Sequence, residues 1–250
     1  MEGIIRIANG NGLGSIVLAF MTGSKVTYLN VGIYTVAEAS KLTGVSKERI
    51  RRWLKGYHSN LRKKDYAPLW PSQLPAISNK VALGFLDLIE VKFVGEFLDR
   101  GVSWPMIHKV REKASQIYPG VSHPFCTQKF VTDGQQVFIE VHRETGEQSL
   151  FEIATDQHVF AEIIKPFLKQ LEFREGTILE RWWPLGIDHH IVVDPRKNFG
   201  QPTISGEGIA TQVLAQSVRA NGSMEEVARW YEISPQAVRD AVDYEHSLAA

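Results

Sequence analysis

Nine cations lie between Lys41 and Asp65: Lys41, Lys47, Arg49, Arg51, Arg52, Lys55, Arg62, Lys63 and Lys64, opposed only by Glu48 and Asp65. The chemistry available to such a stretch is neutralisation of a polyanion. From Glu207 onward the balance reverses, with seven acids (Glu207, Glu225, Glu226, Glu232, Asp240, Asp243, Glu245) facing three arginines. The chain as a whole carries 28 cations and 28 anions, so its neutrality conceals one stretch suited to phosphates and another that repels them. Other reactive residue types are sparse. His189 and His190 follow Asp188, but neighbours on a strand point to opposite faces, so the two imidazoles are expected to be structural or solvent-facing and not ligands of one metal. Cys126 is the single cysteine, which excludes an intrachain disulfide and suits a reducing cytoplasm. There is no Cys-Xaa-Xaa-Cys, His-Glu-Xaa-Xaa-His, Gly-Xaa-Ser-Xaa-Gly or Walker loop, and the glycine-rich Asn9-Gly10-Asn11-Gly12-Leu13-Gly14 lacks the strand and helix that would make it a nucleotide site. No apolar run approaches the roughly 20 residues of a membrane span. The sequence therefore predicts a cytoplasmic binding protein without catalytic residues, metal or cofactor. A hydrolase built on His189, His190 and nearby acids ranks below that reading.

The basic stretch needs elements that point it outward, and local signals supply them. Thr35-Val36-Ala37-Glu38 is a capping box opening a short helix with Val36, Ala39 and Leu42 on one face. Gly44 ends that helix, Val45 fills the turn and Ser46 caps the next one. In the second helix Ile50, Trp53 and Leu54 share the buried side, so Glu48, Arg51, Arg52 and Lys55 face away, with Lys47 and Arg49 on the flanks. Two short helices about a glycine turn, the second with a basic outer face, match a unit that enters a major groove. Tyr57 then leads into a hairpin whose tip carries Arg62, Lys63 and Lys64, placed to meet phosphates beside the groove; a solvated loop is the rival reading. The expected DNA-binding residues are Ser46, Lys47, Arg49, Arg51, Arg52, Lys55, Tyr57, Arg62, Lys63 and Lys64.

Downstream, 81–98 is apolar on nearly all sides at helical spacing, which an intrachain core or a dimer interface would explain equally well. Ser103 and Pro105 open another helix. Around Asp133-Gly134 the spacing predicts a β-hairpin of 129–132 with 137–141. A helix over 160–168 and short strands at 171–173 and 178–183, joined through Glu175-Gly176, are expected next. Beyond Asp194-Pro195 a glycine- and proline-rich connector precedes three helices, capped by Ser223 before Glu225-Glu226 and by Ser234-Pro235.

Residues Tyr34-Thr35-Val36 through Arg52-Trp53-Leu54 resemble the winged helix-turn-helix of the MerR superfamily, with Arg52 where members typically have an aromatic residue after the arginine. Asp194-Pro195, Gly200-Gln201-Pro202, Ile204, Gly206, Gly222-Ser223-Xaa-Glu225-Glu226-Val227 and Ala241-Xaa-Xaa-Tyr244 resemble the trihelical module of VapB-type antitoxins from bacterial toxin–antitoxin operons, although its usual Gly-Thr-Arg is Gly206-Glu207-Gly208 in this chain. The wing with Leu69-Trp70, Phe85-Leu86-Asp87-Leu88-Ile89-Glu90, the Thr132-Asp133-Gly134 hairpin and Trp183-Pro184 resemble the longer antitoxins with a MerR-like head. The expectation is an α+β protein with a flexible extension (1–30), a winged head (31–120) and a region of hairpins plus a trihelical unit (121–250). The resemblance implies an antitoxin that binds double-stranded operator DNA and neutralises a PIN-like ribonuclease toxin. The apolar 81–98 helix and the twofold operators common to helix-turn-helix proteins add the expectation of a homodimer. For the toxin two routes stay open: acidic or strand-forming segments after Phe125 blocking a basic nucleic-acid channel, or Arg196 or Lys197 reaching into an acidic metal-binding centre. A stand-alone MerR-like regulator with a sensing or dimerisation domain is the alternative.

Overall fold

The computed structural model describes residues 3–6, 18–22, 25–59, 63–146, 166–167, 169–174 and 178–249. It is an α+β structure. Within the expected extension, β1 (Gly3–Arg6), β2 (Leu18–Thr22) and β3 (Lys25–Leu29) pair antiparallel in that order. Ile4-Ile5 and Val26-Thr27 supply the β-branched residues that favour extended backbone there.

β4 (Tyr34–Thr35) runs into α1 (Val36–Thr43) through the anticipated capping box: the Glu38 N–H donates to Thr35 Oγ1 at 3.2 Å and the Thr35 N–H donates to Glu38 Oε2 at 2.7 Å. Gly44 closes the helix with φ 76°, and Ser46 caps α2 (Lys47–Lys55) by accepting from the Arg49 N–H. Ile50, Trp53 and Leu54 are buried and the basic residues lie opposite. Gly56 then turns the chain into the hairpin of β5 (Tyr57–Ser59) and β6 (Lys64–Tyr66). It adopts φ 71°, and a Cβ there would lie 2.2 Å from the Tyr66 carbonyl oxygen, so only glycine fits. The Leu69 N–H donates to the Trp53 carbonyl at 2.7 Å, binding the exit of the hairpin to α2.

β7 (Ala82–Leu83) pairs antiparallel with β4, so the expected helix over 81–98 begins later, as α3 (Phe85–Asp99). The boundary is set by Gly84, whose N–H donates to Asp87 Oδ2 at 2.9 Å and whose missing side chain admits Gln73 Oε1. α4 (Trp104–Ile117) starts where Ser103 and Pro105 placed it, and a 3-10 turn at Pro124–Cys126 follows. The expected hairpin about Asp133-Gly134 is instead α5 (Gln128–Thr145). Thr127 caps it by accepting from the Phe130 N–H, and Phe130, Val137, Phe138 and Val141 recur at helical spacing on its buried side. That periodicity, not the local Asp-Gly signal, decides the segment. α3 is covered from within the chain: Phe93 stacks on Phe125 (centroids 5.0 Å) and meets Phe130 (5.5 Å) and Phe167 (5.3 Å), while Phe97 stacks on Phe138 (5.1 Å). Each such ring contributes about 2–3 kcal/mol by leaving water. An intrachain core thus accounts for the apolar surface of α3. The helix expected over 160–168 and the Glu175-Gly176 turn lie largely outside the described residues.

β8 (Leu171–Arg174), β9 (Ile178–Trp182), β10 (Ile191–Val193) and β11 (Pro202–Ile204) form an antiparallel sheet in the order β11-β10-β9-β8, with a bulge at Glu172/Phe173. The trihelical unit follows as α6 (Thr211–Asn221), α7 (Met224–Tyr231) and α8 (Pro235–Ser247). Gly222 closes α6 with φ 77°, and Ser223 and Ser234 cap α7 and α8. One continuous buried cluster runs from Tyr34 in β4 to Tyr244 in α8. Among the described residues no helix is long and apolar enough to cross a membrane.

Candidate nucleic-acid interface

α2 presents its cations in two rows. Lys47, Arg51 and Lys55 succeed one another at four-residue steps; all are exposed and none forms an ion pair with a described residue. Beside them Arg52 is held on two sides: its Nη2 lies 2.6 Å from Glu48 Oε1, and its guanidinium carbon lies 5.2 Å from the centre of the Tyr57 ring. Tyr57 in turn stacks on Tyr66 across the hairpin, with centroids 4.8 Å apart. One side of Arg52 thus rests on the hairpin and the other on its own helix. Arg49 points aside, 3.6 Å from Asp99 on α3. Ser46 has its hydroxyl oxygen engaged as the cap of α2, where it accepts from a backbone N–H.

At the hairpin, Lys63 is exposed with φ 46° and Lys64 opens β6; Arg62 lies outside the described residues. His58 and Asp65 face each other across the strands with Nδ1 and Oδ1 2.7 Å apart, a pair that sequence reading missed. Counting outward from the turn would have found it, since directly opposed residues interact. The same reading recorded Glu48 as a lone acid in a basic face and missed that it braces Arg52. An α2 of this kind can insert into a groove about 12 Å wide while the hairpin lies along the adjoining backbone. Its unpaired cations offer phosphate contacts, and its braced guanidinium offers a planar donor fork.

The other candidate residues are placed differently. Arg196 is committed to Asp194, with Nε 2.9 Å from Oδ1 and Nη2 2.9 Å from Oδ2, and reaches Glu180 through Nη1 at 3.1 Å. Despite the desolvation of Asp194, the hydrogen bonds from Arg196 and Arg181 hold its carboxyl below the usual range. Lys197 turns its amine onto the Gly206 carbonyl at 3.2 Å. His189 and His190 are not on a strand: they sit in the turn before β10, where both Nδ1 atoms approach Asp240 Oδ2, at 3.8 and 2.7 Å. The opposite-faces expectation fails because turn backbone lets neighbouring side chains converge. Among the described residues no three His, Cys, Asp or Glu side chains are grouped to hold a metal ion. Cys126 is buried, which pushes its thiol pKa well up.

The trihelical end is fastened to the base of α1. The Tyr34 hydroxyl donates to the Gly200 carbonyl at 2.7 Å, Gln201 Nε2 donates to Glu38 Oε1 at 3.2 Å, and Lys41 Nζ lies 3.0 Å from Glu245 Oε2. Burial is the main cause that lifts the Tyr34 pKa well above its ordinary value, so the phenol stays a donor.

The fold and this face define an α+β chain with a winged helix-turn-helix at one end and a trihelical unit at the other. A family of unknown function, DUF433, matches residues 191–244. Over 230 residues the chain is 29% identical to a Mycobacterium tuberculosis protein provisionally named antitoxin VapB45, covering 86% of this chain and 94% of that one. It is 27% identical over 237 residues to the uncharacterised protein Rv2308 of the same organism, covering 88% and 93% of the two chains. The crystal structure of Rv2018, also from Mycobacterium tuberculosis, superposes with a TM-score of 0.69 at 25% identity, over 86% of this chain and 99% of that one.

Proposed function

We propose that the protein is the antitoxin of a type II toxin–antitoxin pair, a non-enzymatic regulator that binds its operator DNA through a MerR-like winged head and neutralises a PIN-like ribonuclease toxin. The observation that carries the DNA half is the outward row Lys47, Arg51 and Lys55, unpaired among the described residues and flanked by the braced Arg52. The toxin half is supported by the likeness, over nearly the whole chain, to a relative named as an antitoxin. In this reading the head acts as a homodimer on a twofold operator, as helix-turn-helix proteins commonly do. The chemistry of the head is neutralisation and groove readout: Lys47, Arg51 and Lys55 displace counterions, Arg52 offers two N–H groups in one plane, and the Lys63–Lys64 tip meets the next phosphates. Arg196 stiffens the Asp194 turn, and Lys197 stands beside the surface that faces the toxin.

Fluorescence titration of the chain's own promoter, paired with a ribonuclease assay of the neighbouring gene product, tests both halves. Arg51→Ala or Arg52→Ala is expected to weaken operator binding by about 1–3 kcal/mol if the residue reads a base, and wild-type protein is expected to silence the nuclease at equimolar ratio. Operator binding without nuclease inhibition would favour a stand-alone MerR-like regulator. Equal affinity for promoter and random DNA would remove the operator function.

A further inference from the structure

Among the cations on the outer face of α2, Arg52 is the one whose charge is already answered. Lys47, Arg51 and Lys55 are exposed and form no ion pair with a described residue. Arg52 instead has Nη2 2.6 Å from Glu48 Oε1, one helical turn earlier, and its guanidinium carbon 5.2 Å from the centre of the Tyr57 ring. Side chains on a helix lean toward its N-terminus, which draws Arg52 along α2 toward Glu48. Tyr57 is fixed in turn by its stack on Tyr66, with 11° between the ring planes. Gly56, whose N–H donates to the Arg52 carbonyl at 2.9 Å, joins helix to hairpin at the same point. The guanidinium is thus held by its helix and by the hairpin, yet Arg52 and Glu48 keep 53% and 72% of their side-chain surface open to solvent. A held group that stays this open can still meet the edge of a base.

Charge and geometry then assign Arg52 a different task from its neighbours. A phosphate contact works through net charge, because its affinity comes from displaced counterions. Glu48 and Arg52 together carry no net charge, and a carboxylate 2.6 Å from the guanidinium repels a phosphate that approaches it. Hydrogen bonding survives the pairing. A guanidinium has five N–H donors, the ion pair is made at Nη2, and Nη1 has no partner among the described residues. A fork held in this way loses less freedom on binding than a mobile side chain does. In the major groove a planar pair of donors matches guanine, whose O6 and N7 are adjacent acceptors; adenine sets a donor beside its N7. We propose that Glu48 and Arg52 act as one charge-neutral unit that selects a guanine in the operator. Arg52 reads its O6 and N7, and Glu48 is a positioning residue that keeps Arg52 off the phosphates. On the operator-binding reading, from which this follows, Lys47, Arg51 and Lys55 supply affinity for any DNA and the paired guanidinium supplies the choice of sequence.

The test uses the full-length chain and two dye-labelled duplexes of equal length, its own promoter and a random sequence, titrated over a range of salt concentrations. Replacing both residues, Glu48→Ala with Arg52→Ala, leaves the net charge of the head unchanged. That double variant should lose about 10- to 100-fold in affinity for the promoter, as removal of a bidentate base contact does. Its affinity for the random duplex should stay within about two-fold of wild type, with the same salt slope. Arg51→Ala should behave in the opposite way, weakening both duplexes alike and lowering the slope by about 0.9. Glu48→Gln separates the pairing from folding, because it frees the charge of Arg52. It should bind the random duplex more tightly, steepen the slope by up to about 0.9 and reduce the preference for promoter, a gain that no unfolded head produces. Putting 7-deazaguanine at each promoter guanine in turn removes N7 alone; at the guanine that is read it should weaken wild type and leave the double variant unaffected. If the double variant prefers promoter as strongly as wild type, or weakens on both duplexes with a smaller slope, Arg52 is not the reader and the operator reading survives. If wild type binds the two duplexes equally, the operator reading falls and takes the guanine-reading unit with it.

Discussion

Glu90 sits wholly inside the protein, with Oε1 accepting from the Phe125 N–H at 3.0 Å and Oε2 without a partner among the described residues. Burial dominates the opposing pull of His123 and Arg111 and lifts its pKa from 4.5 to about 7. Because the folded value lies above the ordinary one, the contribution to stability is complete below pH 4.5 and is lost as pH rises through about 7. Wild type should therefore lose up to about 3 kcal/mol between mildly acidic and mildly alkaline buffer, and Glu90→Gln should flatten that dependence. Urea melts of both proteins across this range check it; parallel pH profiles would refute the assignment. The sequence places Glu90 and Asp87 in a stretch that carries a family resemblance, but nothing in it shows that either acid is buried. Asp87 collects Trp70 Nε1 (2.9 Å), Ser72 Oγ (3.1 Å), the Gln73 N–H (2.9 Å) and His123 Nε2 (2.9 Å), partners as far as 36 positions along the chain. The caps at Thr35, Ser46, Ser223 and Ser234 were legible because cap and recipient lie within one turn. Buried acids were not, because their partners arrive only with the tertiary fold.

Elements follow the same division. α1, α2 and the trihelical unit were readable because stripe, cap and terminating glycine agree within each segment. α5 was misread because Asp133-Gly134 is a strong turn signal, and only burial of Phe130, Phe138 and Val141 together against α3 overrules it. Gly56, at the joint of α2 and the hairpin, yields a prediction at this scale. Gly56→Ala places a methyl group 2.2 Å from the Tyr66 carbonyl at φ 71°, so the hairpin must shift, and a loss of about 2 kcal/mol or more in chemical denaturation is expected. Operator affinity should fall with it. The hairpin tip gives a second one. Alanine at Arg62, Lys63 and Lys64 together should weaken operator and random DNA alike and reduce the salt slope by up to about 3, at 0.9 per lost phosphate contact. An unchanged slope would place the tip away from the backbone of DNA.

For the whole molecule, the decisive feature is the fastening of β10–β11 and α8 to the base of α1. The Tyr34 ring fits only because Gly200 and Gly32 lack side chains: a Cβ on Gly200 would lie 2.2 Å from the Tyr34 hydroxyl oxygen. Tyr34→Phe should leave the Gly200 carbonyl without its donor at a loss of about 1–2 kcal/mol. Gly200→Ala should be more disruptive, since it also strains φ 85°. Differential scanning calorimetry of the two variants checks the order, and a single shared transition is expected because one buried cluster spans both ends. Sequence reading separated head from tail by composition and charge, which carry no trace of contacts spanning 166 positions such as Tyr34 to Gly200.

The fastening also bears on how such chains can diversify by recombination. Glu38 serves Thr35 with one oxygen and Gln201 with the other, and Glu245 links Lys41 to Thr211. A tail transplanted from a relative would meet a head lacking the matching partners, and α1, the first helix of the helix-turn-helix, would register the mismatch. Heads and tails should therefore be inherited as sets, with changes at positions 34, 38 and 41 tracking changes at 200, 201 and 245. A chimera that exchanges residues 191–244 alone, the span matched by the family model, should fold less well than one that carries those head positions along.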